Sequence, residues 1–217
     1  RIARRQRQMC IRDRFIAVEL IRNGANLEAE FEGRTPLIIA IENDGFMIAR
    51  DLIQNNANLE AEFEGKTPLI IAVENDRFSI ARELIERGAN TEVQFNGKTP
   101  LIIAIENNRF LIARELIQNN ANPNVIDLNS GDSALFIAVK GNFIQIVNLL
   151  LNRRANIFFR NNGNLQNQGK SIFEYIIDNN LNDIIRLDSF RRIQALLDIT
   201  NQYGISEELI IEILEWV

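Results

Sequence analysis

Histidine is absent from this 217-residue chain, and cysteine occurs once. Without histidine there is no Ser-His-Asp or Cys-His relay and no HExxH metal site, because each needs an imidazole as base or ligand. A single cysteine cannot build an internal disulfide framework or a cysteine-based zinc site. No run approaches the roughly 18 uninterrupted apolar residues that a membrane-crossing helix requires. Wholesale disorder is excluded as well, since 46% of the residues are apolar, an ordinary share for a packed chain. The remaining routes to catalysis run through carboxylates, lysine or serine, so the composition leans towards a binding protein that is not an enzyme. At about 100–200 residues per domain, the length fits one domain, or one with a short appendage.

What is abundant is isoleucine, with 34 residues, and asparagine, with 28. Both have A/T-rich codons, which speaks to ancestry more than to chemistry. The opening Arg4-Arg5-Gln6-Arg7-Gln8-Met9-Cys10-Ile11-Arg12-Asp13 resembles one reading frame of a transposase-type sequencing adapter. On that reading residues 1–13 are not native, and the chain is expected to be a metagenomic gene fragment. These residues hold five arginines and one aspartate; setting them aside turns a net charge of −5 into −9, from 19 basic and 28 acidic residues. An acidic chain disfavours nucleic-acid backbones and anionic membranes as partners.

Internal repetition is the strongest signal. Gly33-Arg34-Thr35-Pro36-Leu37-Ile38-Ile39-Ala40 returns 32 residues later from Gly65 and again from Gly97, and residues 65–90 match residues 97–122 at 20 of 26 positions. Weaker copies start at Gly131 and Gly169, and residues 16–26 align with 48–58 as the back half of a partial first repeat. Within a unit, Thr35 suits a helix N-cap and Pro36 the first helical position, where its missing N–H costs nothing. Leu37, Ala40 and Ile41 then fall on one helical face. After the polar break Glu42-Asn43-Asp44-Gly45, a second helix carries Ile48, Ala49, Leu52 and Ile53. It is expected to stop at Gly24, Asn56, Gly88 and Asn120 in successive units, residue types that accept a left-handed C′ position. Arg154 holds that place in the fourth unit, at a steric cost.

Thr-Pro-Leu-x-x-Ala, two short helices and a closing Gly-Ala-Asn together resemble the ankyrin repeat, over about residues 15–185. The resemblance implies an all-α solenoid of stacked helix pairs with short β-hairpin-like fingers along one edge. It implies a partial repeat at 14–26 and repeats at about 27–58, 59–90, 91–122, 123–156 and 157–187. Residues 188–217 are then a helical cap or the start of another module. Two departures stand out. The family's histidine after Thr-Pro-Leu is Ile38, Ile70, Ile102 and Phe136 here, so apolar packing is expected in place of its hydrogen bonds. The finger is also one residue shorter in the first three repeats.

The resemblance further implies a non-catalytic scaffold that binds a partner protein through finger tips and a concave face. In the fingers, Glu28, Glu30, Glu60, Glu62 and Glu92 alternate along segments that, if extended, place them on one side. Phe31, Phe63 and Phe95 would form a ladder within that acidic strip. Such a row suits a partner protein with apolar anchors set among Lys and Arg. The bland alternative stays open: rings that fill space between fingers, and glutamates that are solvated surface. A second group, Glu42, Glu74 and Glu106 with Arg77 and Arg109, reads as intrahelical i,i+3 pairs. No cofactor or metal is expected, since Glu-Ala-Glu-Phe-Glu is a poor calcium loop and a solenoid edge has no closed pocket for paired acids. Gly65-Lys66-Thr67 lacks the earlier glycine of a phosphate-binding loop.

Towards the C-terminus, residues 161–169 read as a polar loop, followed by helices at about 172–179, 182–187 and 189–200. Residues 205–217, Ser206-Glu207-Glu208-Leu209 and onwards, resemble the first helix of an F-box, with Ser206 where proline is usual. That resemblance implies an alternative role as substrate adaptor for a cullin ubiquitin ligase. The plain reading is a Ser-capped amphipathic helix. A monomer in the cytoplasm is the expected setting, and residues 15–23 are expected to fray.

Overall fold

The computed structural model describes residues 16–157, 159 and 171–203. The adapter-like segment, the 161–169 loop and the F-box-like segment lie outside these residues. The chain divides into two compact units, Arg1–Phe95 and Asn96–Val217. Repeat units contact only their neighbours, so an array of them holds together through local rather than global contacts.

The first unit contains α1 (residues 16–22), α2 (Pro36–Glu42), α3 (Phe46–Gln54), α4 (Pro68–Glu74) and α5 (Phe78–Glu86). Helices α2 and α4 pack side by side in one layer, α3 and α5 in a second, and each α2–α3 or α4–α5 pair is antiparallel through a short turn. The second unit repeats the plan with α6 (Pro100–Glu106), α7 (Phe110–Gln118), α8 (Ala134–Lys140) and α9 (Ile144–Asn152). It continues with α10 (Ile172–Asp178), α11 (Asn182–Ile185) and α12 (Asp188–Tyr203). Helix α10 rests on α8, and both α11 and α12 rest on α9, with the Phe190 ring stacked on Phe173 at 5.3 Å.

The local signals act where the spacing puts them. The hydroxyls of Thr35, Thr67 and Thr99 accept from the amides of Ile38, Ile70 and Ile102 at 3.4–3.5 Å, with proline in the first turn each time. Ser133 does the same, and Ser171 forms a reciprocal capping box with Glu174. Each cap stabilises its helix by about 1 kcal/mol. Gly24, Asn56, Gly88 and Asn120 all have positive φ, as their C′ places require, and Arg154 adopts φ 62° despite its Cβ. A second left-handed row, Asp44, Asp76, Asn108, Asn142 and Asn180, closes the first helix of each pair at φ 50–56°. There the Gly45 amide reaches back to the Ala40 carbonyl at 2.8 Å, which is why the polar break begins with Asn-Asp or Asn-Asn.

One expectation changes. The first helices are not amphipathic: every residue from Pro68 to Val73 is buried, as is every residue from Pro100 to Ile105. A helix apolar all round belongs inside a stack rather than on its face. Ile38, Ile70 and Ile102 are completely buried and Phe136 is 3% exposed, so apolar packing does replace the histidine of the usual pattern. Each such side chain contributes roughly 1.5–3 kcal/mol.

Candidate partner-binding edge

The short finger is a two-residue hairpin. Phe31 and Arg34 exchange backbone hydrogen bonds at 2.9 and 3.0 Å, and so do Phe63 and Lys66. Between them Glu32-Gly33 and Glu64-Gly65 all have φ of 53–75°, the signature of a type I′ turn. The finger's base is a second turn, in which the Asn26 side-chain oxygen accepts the Glu28 amide at 3.0 Å, repeated by Asn58 for Glu60. This explains the recurrent Ala-Asn, since an Asn side chain can replace a backbone carbonyl in closing a turn. Two turns in succession leave no extended stretch, so the alternation expected of the glutamates does not hold.

The glutamates fall into two sets. Glu28 accepts the backbone amide of Asn58, and Glu60 that of Asn90, both at 2.8 Å. These carboxylates join one finger to the next. Glu92 accepts from the Thr91 hydroxyl at 3.5 Å, and Glu32 pairs with Arg34. Glu30, Glu62 and Glu64 are exposed and make no such bond among the described residues.

The rings show a similar gradation. Phe63 is half-buried, with its ring over Gly33 and the Arg34 guanidinium 5.4 Å from its centroid. Phe95 lies over Gly65 in the same way, with Lys66 at 4.9 Å. Each cation–ring contact is worth about 0.5–1 kcal/mol at an exposed site. Gly33 and Gly65 are needed twice over, for positive φ and for the ring above them. Phe31 has no such turn beneath it among the described residues and is 65% exposed.

Sequence reasoning missed the partners of the cations. Lys66 binds Glu74 and Lys98 binds Glu106, both at 2.8 Å, while Arg34 reaches Glu42 at 3.4 Å. The expected Glu74–Arg77 pairing is therefore replaced: α4 ends at Glu74, Asp76 turns left-handed, and Arg77 pairs with Asp44 of the preceding repeat at 3.1 Å. The hydrogen bond to Glu42 raises the Arg34 pKa against the opposing effect of burial, and Glu106 does the same for Lys98. In the fourth repeat the signs are exchanged, with Asp132 accepting from Lys140 at 3.0 Å. That exchange, eight residues apart, was the legible signal.

The fourth finger is longer and turns on Asp127. Its carboxylate accepts from the Asn129 amide at 3.0 Å and the Ser130 hydroxyl at 2.9 Å. Burial pushes its pKa up, but these bonds together with the Lys98 charge outweigh it and hold the carboxyl below its ordinary value. Leu128 and Asn129 lie over Gly97, where the earlier fingers have phenylalanine over glycine.

Among the described residues no group of three potential metal ligands occurs, and no helix is long and apolar enough to cross a membrane. A family model described as ankyrin repeats (3 copies) matches residues 8–95, 48–127 and 89–161. Among solved structures, an ankyrin repeat domain from Acinetobacter baumannii AYE is similar at TM-score 0.68 and 24% identity, over 84% of this chain and 96% of that one. The ankyrin repeat domain of Bcl-3, of the IkappaB protein family, is similar at TM-score 0.66 and 23% identity, over 80% and 77%. No curated protein matches the sequence.

Proposed function

The chain belongs to the ankyrin-repeat family, whose repeats are protein–protein interaction modules, and on that premise we propose that it captures a partner protein through the finger edge of residues 27–64. The reading rests on one observation: Glu30, Glu62 and Glu64 are exposed and unbonded among the described residues, whereas the carboxylates of Glu28, Glu32 and Glu60 beside them are bound within the fold. Next to these free carboxylates, Phe31, Phe63 and Phe95 keep part of each ring open. The partner surface that fits is basic with an apolar anchor, because unpaired carboxylates raise the encounter rate with cations and an aromatic supplies buried area. No chemistry on the partner follows, and the chain acts as a non-catalytic scaffold. The first-helix layer adds little of its own, since its apolar residues are buried and Asn43 and Asn75 bond the Ile39 and Ile71 carbonyls.

The test is binding to arrayed Lys/Arg-rich peptides with and without one aromatic or leucine anchor. Wild type should bind the anchored basic peptides and lose them as salt rises. Glu30→Lys, Glu62→Lys and Glu64→Lys together should abolish binding with the thermal midpoint unchanged. Equal binding by the triple variant would remove the finger edge from the function.

A further inference from the structure

A contact rule repeats through the first unit. Each finger gives the next one a carboxylate for its Asn amide (Glu28 to Asn58, Glu60 to Asn90) and a Gly-cation turn for its ring (Gly33-Arg34 to Phe63, Gly65-Lys66 to Phe95). Each first helix also covers the apolar side of its own second helix, so that Leu52 and Leu84 are 2% and 0% exposed. At the edge formed by α1 and the first finger the same three positions are open. Leu20, which aligns with Leu52, is 55% exposed; Ile16 is 50% and Phe31 65% exposed. Among the described residues no carboxylate meets the Asn26 amide. This is an apolar face with a ring and an amide at fixed spacing, and the chain itself shows what satisfies that combination.

We propose that the face of Ile16, Leu20, Asn26 and Phe31 is a stacking surface for one more repeat of this chain's own type, placed ahead of residue 14. The occupant is specified by chemistry: a finger with Glu and a Gly-Lys or Gly-Arg turn 30 residues before Asn26 and Phe31, followed by an apolar Thr-Pro-Leu-Ile-Ile-Ala helix against Leu20. A helix of seven residues is marginal alone, and its stability comes from an apolar face packed on a neighbour. The cation would sit on the Phe31 ring as Arg34 sits on Phe63, leaving the ring's outer part open for the edge described above.

The test replaces residues 1–13 with a copy of residues 59–77, which restores the 30-residue spacing to both Asn26 and Phe31. A second graft uses residues 91–109. Hydrogen exchange of amides 19–22 should slow by at least about tenfold in a graft relative to the unmodified chain, reflecting closure of a locally open helix. Phe31→Ala should lower the thermal midpoint of the graft and leave that of the unmodified chain in place. Unchanged exchange in both grafts, or failure of both to fold, overturns the proposal. So does concentration-dependent dimerisation of the unmodified chain that Phe31→Ala abolishes, because the face would then take a second copy.

Discussion

Lys140→Glu in the fourth repeat is the sharpest test of how the fingers are fastened to the helices. Lys140 stands at the end of α8 with its ammonium 3.0 Å from Asp132, whose side chain is 4% exposed while that of Lys140 is 41% exposed. Reversing the lysine turns attraction into repulsion. Two unit charges about 4 Å apart at an effective dielectric of about 20 interact by roughly 4 kcal/mol. The introduced glutamate can swing into water because its site is open, and about 2 kcal/mol of cost is expected to remain. For a chain of this size, 1 kcal/mol moves the midpoint by about 2–4 °C, so the single variant should melt about 4–8 °C lower. Asp132→Lys combined with Lys140→Glu recreates the polarity of Lys66–Glu74 and Lys98–Glu106, and should recover more than half of that loss. Circular-dichroism melts and urea unfolding of the four proteins of the cycle give the coupling directly. High salt should shrink the cost of the single variant, as the screening length falls to about 3 Å at 1 M. If the double variant is no more stable than the two singles predict by addition, the i,i+8 pair is not what holds finger to helix.

Two further outcomes follow from single residues. Arg154→Gly should stabilise the chain by about 0.5–1 kcal/mol, because it removes the left-handed penalty at φ 62° while making the unfolded chain more flexible; a lowered urea midpoint would contradict this. Asp127 has a folded-state pKa below its unfolded value, so its stabilisation is fully present above about pH 3.9 and is lost as pH falls through the lower folded value. Asp127→Asn should therefore flatten the acid limb of stability against pH without adding slope above about pH 5, and an unaltered acid limb would remove Asp127 from that account.

Much of the fold was legible because its rules are local. Thr35, Pro36 and Asn56 act within one helical turn, so their spacing alone located caps and ends. The positive φ at Arg154 was equally readable, as the one bulky residue in a column of Gly and Asn. The candidate edge was only half legible. Glu28 and Glu30 are two residues apart and chemically identical, yet one binds Asn58 and the other is free. Phe31 and Phe63 occupy the same repeat position, and only Phe63 has a glycine turn beneath it. The alternation argument failed for the glutamates because it assumed extended backbone where two turns follow each other.

The sequence by itself determined the 32-residue period, the all-α repeat, its caps and the substitution of isoleucine for histidine in its interior. These follow from propensity, capping and hydrophobic burial, which depend on residues within a few positions of one another. Tertiary structure alone decided which charges are engaged and which remain open. The bonds that engage them join residues eight and thirty positions apart, and such pairs exist only once a finger has folded back on its helix and one repeat has settled against the next.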